Sequence, residues 1–165
     1  MLKDGYDVTG FFSNSNIHPR EEYDLRLDEA RKVARLSGVP LIEDDYDPEG
    51  WIALTAKFKD EPEKGRRCDV CYAARLARTA ARAAREGFDA FATVMSLSPW
   101  KKAAVMNRIG RQFAARHGIA FLEADFKKKD GFKKSVDLSR AHGLYRQDYC
   151  GCVYSRNAAR KRTSS

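Results

Sequence analysis

Four cysteines carry most of the chemistry open to this sequence, and they come as two close pairs: Cys68 and Cys71 in "RRCDVC", Cys150 and Cys152 in "DYCGC". At i and i+3, the first pair shares one face of a helix's opening turn. Unsatisfied N–H groups there, with Arg66 and Arg67 alongside, favour the thiolate form that metals bind. Zinc, an iron–sulfur cluster, a thioredoxin-like dithiol and a pair of buried cysteines all compete for these two residues. The approach "EPEKGRRCDVCY" is polar loop, which argues against a core position. It also weakens the thioredoxin-like alternative, whose motif follows a strand. CxxC and CxC together supply the four sulfurs of a zinc site, yet about 80 residues lie between them, unlike the compact spacing of a zinc finger. A cluster also wants about four thiolates, so spacing leaves zinc and iron–sulfur both open.

For Cys150 and Cys152, the intervening Gly151 lets the backbone bend enough to bring two sulfurs together. The small ring would be strained, and strained disulfides are labile and oxidising, as a redox couple requires. The same two thiols could chelate one metal. A merely structural pair is the alternative, since Tyr149, Val153 and Tyr154 give apolar company.

Few other constellations stand out. GxGxxG, P-loop and GxSxG signatures are absent. His117 and His142 sit beside helix-ending glycines, where a histidine mainly favours the helix dipole. His18 in "NSNIHP" follows the first strand, where ligands gather in α/β folds, although a loop histidine before proline needs no such role. "FKKKDGFKKS" could meet phosphates, with a solvated lysine run as the default.

The elements that must position these residues alternate. "YDVTGFF" (Tyr6 to Phe12), "VPLIEDDY", "FDAFATVMS" and "IAFLEADF" read as strands. "REEYDLRLDEARKVARLSG" reads as a helix with Tyr23, Leu27, Ala30 and Ala34 on one face and Gly38 as its stop. Asp47 should cap a helix with Pro48 at its first position. A third helix, rich in Ala and Arg, runs from Cys68 to Glu86. In "KKAAVMNRIGRQFAARHG" a helix buries Val105, Met106, Ile109 and Phe113, and "GFKKSVDLSRAHG" makes a last helix headed by Asp130. This order predicts an α/β class, a mainly parallel sheet with helices on both faces, and one domain over 1–165 with a short basic tail from about 156. Such a sheet usually opens on a strand, whereas "MLKDG" reads as the last turn of a helix whose preceding strand is missing.

The totals fit a soluble domain: 165 residues, 43% hydrophobic and 33% charged. No apolar run approaches the roughly 18 residues of a membrane span, and the N-terminus lacks a signal peptide's cationic and apolar regions, so a cytoplasmic location is expected. Lys and Arg outnumber Asp and Glu by 31 to 23, a net charge of +8 that favours polyanionic partners without establishing one.

Taken in order and spacing, "FFSNSNIHP", "KDEPEKGRRCDVCYAARL", "SLSPWKK" and "KDGFKKSVDLSRAHGLYRQDYCGC" resemble the cobalamin-independent epoxyqueuosine reductases, the QueH family, over nearly the whole chain. The resemblance implies a Rossmann-like, adenine nucleotide alpha hydrolase-like fold. It also implies reduction of epoxyqueuosine to queuosine at the wobble position of tRNA, the last step of queuosine biosynthesis, with a 4Fe–4S cluster. Cys68 and Cys71 match the family's CxxC cluster ligands. Cys150 and Cys152 match its CxC pair, redox-active or holding an accessory iron. Ser15 stands where the family usually has proline. The family's opening strand and adjacent cysteines have no counterpart here, so the remaining cluster ligands are expected from a missing N-terminal segment.

Removing an epoxide oxygen needs two electrons, two protons and an acid, for which His18, Asp45 and Asp148 are candidates. The substrate base would be splayed from an anticodon loop and stacked on an aromatic, a task that Trp100 followed by Lys101 and Lys102 suits by composition. A partly buried aromatic at a helix start is the plainer alternative. tRNA and an unidentified electron donor are the expected partners. A zinc-stabilised RNA-binding module without catalysis and a metal-free cytosolic thiol oxidoreductase are the rival functions.

Overall fold

The computed structural model describes residues 5–123, 125–126 and 130–156. All of "MLKDG" but Gly5, part of the lysine run (127–129) and the basic tail from 157 onward lie outside the described residues, and with them the reading of that opening stretch as a helix end. The chain divides into two compact units, Met1–Ile52 with Leu144–Ser165, and Ala53–Gly143.

In the first unit, β1 (Gly10–Phe12) pairs in parallel with β2 (Leu41–Glu43), and α1 (Arg20–Ser37) connects them. Helix α1 buries Tyr23 and Leu27, on the face that its periodicity predicts. Gly38 closes it at φ 64°, donating to the carbonyls of Ala34 and Arg35, a left-handed stop that glycine adopts without a steric penalty. Around Tyr23 the core is aromatic: Phe12 meets it edge-on with centroids 5.4 Å apart, and Tyr46 lies 4.0 Å away. Helix α2 (Pro48–Thr55) starts as its sequence suggests, with the Asp47 carboxylate accepting from Gly50 N–H at 2.8 Å.

In the second unit, α3 (Arg66–Arg85) packs on α4 (Ala103–His117), and β3 (Ala90–Phe91) pairs in parallel with β4 (Ala120–Phe121). Leu76 and Met106 are essentially buried at the centre of this core, each contributing roughly 1.5–3 kcal/mol of burial. Val105 and Phe113, expected inside, are only partly buried and pack against it. At Gly110 an added Cβ would lie 2.5 Å from the Phe121 ring, so glycine allows α4 to sit directly on β4. Helix α5 (Gly131–Ala141) follows Asp130, which heads it at φ 61° through its backbone carbonyl, without a side-chain cap.

The class is therefore α/β, mostly helical, with short parallel strands. Each strand is shorter than its apolar stretch because the described residues pair it on one side only, over two or three positions. In "FDAFATVMS" a local bond also intervenes: the Thr93 hydroxyl accepts from Met95 N–H at 3.2 Å and turns Val94–Leu97 into a 3₁₀ segment. Among the described residues no helix is long and apolar enough to cross a membrane.

Candidate functional site

Cys68 and Cys71 open α3, as their spacing predicts, but both are buried. The reason lies in the helix period: Cys68, Tyr72, Leu76, Ala80 and Ala83 form one stripe, and that stripe faces the core. The polar loop before Cys68 hides this, so a sequence reading places these thiols outside the core. Gly65 occupies the cap position without a side chain, and the Glu61 carboxylate serves instead, accepting from Arg66 N–H at 3.3 Å. The Arg67 guanidinium is buried and donates to the carbonyls of Phe58, Lys59 and Glu61, pinning the preceding loop against the helix start.

Lys64 joins this corner to a second segment. Held at φ 70°, it donates its backbone N–H to the Cys68 sulfur at 3.2 Å. Its carbonyl accepts from Lys102 Nζ at 2.9 Å, and its own Nζ lies 5.0 Å from the Trp100 ring centre. An N–H aimed at sulfur stabilises thiolate character, which suits a metal ligand. Among the described residues no group of three or more His, Cys, Asp or Glu side chains gathers to hold a metal. The corner thus offers two thiols, half of the four-thiolate set a cluster takes.

The second cysteine pair lies in the other unit, on a loop clasped to "NSNIHP". His18 N–H donates to Gly151 O at 2.8 Å, and Tyr149 Oη donates to His18 O at 2.7 Å. From α1, Arg26 reaches across with both Nη atoms, donating to Tyr149 O and Cys150 O at 3.2 Å each. Its Nε is fixed by Glu22 at 2.7 Å, an ion pair with both side chains nearly buried. Gly151 sits at φ 108°, and an added Cβ would come within 2.9 Å of Arg26 Nη1 and 3.1 Å of Ile17 Cγ1. The glycine is therefore required by its conformation and by the closeness of the clasp.

None of the four cysteines is joined in a disulfide. Cys150 is half-buried, and Cys152 is buried under a helical turn over 153–156, where its sulfur accepts from Ser155 N–H at 3.4 Å. A hydrogen bond to Cys150, reinforced by burial, holds the Cys152 thiol protonated well above the ordinary range. Beside the loop, burial lowers the pKa of His18, and its Nε2 has no hydrogen-bond partner among the described residues. Its ring lies 5.7 Å from that of Trp51, which in turn lies 5.9 Å from Tyr154. Buried Asn16 also leaves its Oδ1 without a partner there.

Of the three candidate acids, His18 is hydrogen-bonded to the cysteine loop, whereas Asp45 and Asp148, the latter on the loop itself, are exposed. Ser15, at the position where proline was expected, binds its loop to the next element by accepting from Asp47 N–H at 3.0 Å and donating to Asp45 O at 3.3 Å. Sequence reasoning missed Arg26, which looks like one more solvated charge at i+4 from Glu22. It also missed Lys64, whose role rests on its backbone.

Comparison with known proteins adds an independent line. Residues 1–158 match the family model described as Epoxyqueuosine reductase QueH. The chain is 37% identical over 155 residues to the protein named epoxyqueuosine reductase QueH in Streptococcus pyogenes serotype M1, covering 90% of this chain and 61% of that one. Like-named proteins of Histophilus somni and Acinetobacter baylyi are 35% and 36% identical over 92% and 94% of this chain, and over 63% and 72% of their own length. The chain spans less than two thirds of the first two of these relatives.

Proposed function

Because the chain belongs to the epoxyqueuosine reductase QueH family, we propose that it acts in the reduction of epoxyqueuosine to queuosine at the wobble position of tRNA. The observation that carries this reading is the placement of both cysteine pairs: one buried in the first turn of α3 with an N–H on sulfur, the other on a loop clasped by Arg26 and His18. The strand–helix alternation, with parallel pairing inside each unit, is the basis for reading the chain as one Rossmann-like domain over 1–165. The cytoplasm, where such thiols stay reduced, is the compartment this chemistry needs.

Cys68 and Cys71 would hold part of an iron–sulfur cluster, its other ligands coming from outside this pair. When bound, the cluster supplies electron transfer and Lewis acidity. Cys150 and Cys152 form the redox pair. One epoxide and two thiols give one alkene, one water and one disulfide: both C–O bonds break, and the two electrons and two protons come from the thiols. An external electron donor then returns the disulfide to the dithiol. Half-buried Cys150 is the sulfur open to reaction, and buried Cys152 is the partner that closes the disulfide. His18, neutral through burial and bonded to the loop, orients it.

The test is anaerobic purification of the protein from its complete reading frame, followed by incubation with epoxyqueuosine-containing tRNA. Expected are a brown protein and nucleosides that lose one oxygen. A colourless protein with stoichiometric zinc, or a metal-free protein that cycles its thiols without touching the tRNA, would overturn the assignment.

A further inference from the structure

Trp100 is two-thirds exposed, at 67%, although a tryptophan ring is among the costliest side chains to leave in water. It is held rather than loose. Lys64 Nζ lies 5.0 Å from its ring centre, Trp100 N–H donates to the Ser98 hydroxyl at 3.3 Å, and Lys102 Nζ anchors the following turn on Lys64 O at 2.9 Å. Lys101 Nζ lies 5.8 Å from the ring of Tyr72, one helical turn beyond Cys68. A flat aromatic face with one ammonium group at its ring and two further lysines next in sequence matches a ligand with its own flat π face and flanking negative charges. Unpaired nucleotides have that chemistry: the base stacks and the phosphates meet the cations. Lys64 also gives the platform an address, because the same residue touches the Trp100 ring and the Cys68 sulfur.

We infer that Trp100, with Lys64, Lys101 and Lys102, is the surface on which an unpaired RNA base stacks beside the Cys68–Cys71 turn. This deepens the function proposed above and rests on it for the identity of the RNA. Stacking supplies affinity without reading the base, so the surface favours loop over duplex. The lysines supply a salt-dependent share, with each phosphate contact adding about one to the slope of log K against log salt.

The test titrates the protein into a labelled synthetic anticodon stem-loop and into a matched RNA duplex, following fluorescence anisotropy. Collisional quenching of tryptophan is read in parallel, since Trp51 is buried and Trp100 dominates it. The expected result is tighter binding of the stem-loop, protection of Trp100 on binding, and a loss of about tenfold or more in Trp100→Ala that Trp100→Phe largely restores. Lys64→Ala keeps the backbone N–H on Cys68 and should lower the salt slope by about one. If Trp100→Ala binds the stem-loop as tightly as the parent, the surface is refuted and the tRNA assignment stands. If the parent binds duplex as well as stem-loop, stacking is refuted. If it binds neither RNA, the tRNA assignment falls with it.

Discussion

His18 donates its backbone N–H to Gly151 O at 2.8 Å, joining the loop after β1 to the middle of the CxC pair. The bond is reciprocated nearby, since Tyr149 Oη returns to His18 O across a sequence separation of 131. Two segments remote in sequence are thereby fixed as one loop cluster, and it is this cluster that gives Cys150 and Cys152 a defined position.

Arg26 should be the side chain on which that cluster most depends. Arg26→Ala leaves a nearly buried Glu22 carboxylate without its cation and two carbonyls without donors, so a loss of about 3 kcal/mol in urea unfolding is expected. Arg26→Lys keeps the charge but not the fork, and should recover only part of it. A loss below about 0.5 kcal/mol in the alanine variant would mean that the clasp holds without it.

Gly151→Ala tests the backbone. The change places a Cβ in the left-handed region and against Arg26 Nη1, so it should destabilise by about 1–3 kcal/mol and make Cys150 more accessible to alkylation. An unchanged melting temperature would show that the loop moves aside.

Cys150→Ser and Cys68→Ser should separate two roles. The first should abolish turnover while iron content stays at the parent level, and the second should lower the iron content itself. Iron analysis beside a single-turnover assay distinguishes them, and full activity in Cys150→Ser would remove the CxC pair from the chemistry.

Alkaline pH should unfold the protein through Cys152. A thiol whose folded-state pKa is raised stabilises the fold below its unfolded value and loses that contribution as pH rises, because the unfolded chain releases the proton first. The cause is the bond to Cys150 together with burial. The urea midpoint should therefore fall as pH rises past the ordinary thiol value of 9.0, and Cys152→Ala should flatten that fall. A parent curve as flat as the variant's would refute it.

How much of this was legible in the sequence depends on which residues are asked. Gly38, Gly118, Asp47 and the Met106–Ile109 face declare themselves through stops, caps and period, and the structure has them as read. The buried position of Cys68 was readable in principle, as the head of the stripe through Tyr72 and Leu76, but the charged loop before it pointed the other way. The strand lengths were not readable, because a strand extends only as far as its partner, and Thr93 ends one by a bond to Met95 that composition does not reveal. Arg26 was not readable at all: its partners are carbonyls more than a hundred residues away, and carbonyls carry no sequence signal.

The unit that holds the CxC loop is discontinuous, built from Met1–Ile52 and Leu144–Ser165 with the other unit between them. During synthesis the inserted segment emerges before the loop over 144–156, so β1, β2 and α1 are made well ahead of the loop that Arg26 holds. Through that interval Arg26 and Glu22 have no carbonyls to clasp. The thiol pair can therefore be clasped only after the residues of the helix bearing Cys68 and Cys71 have been made, and the order of translation becomes an order of assembly.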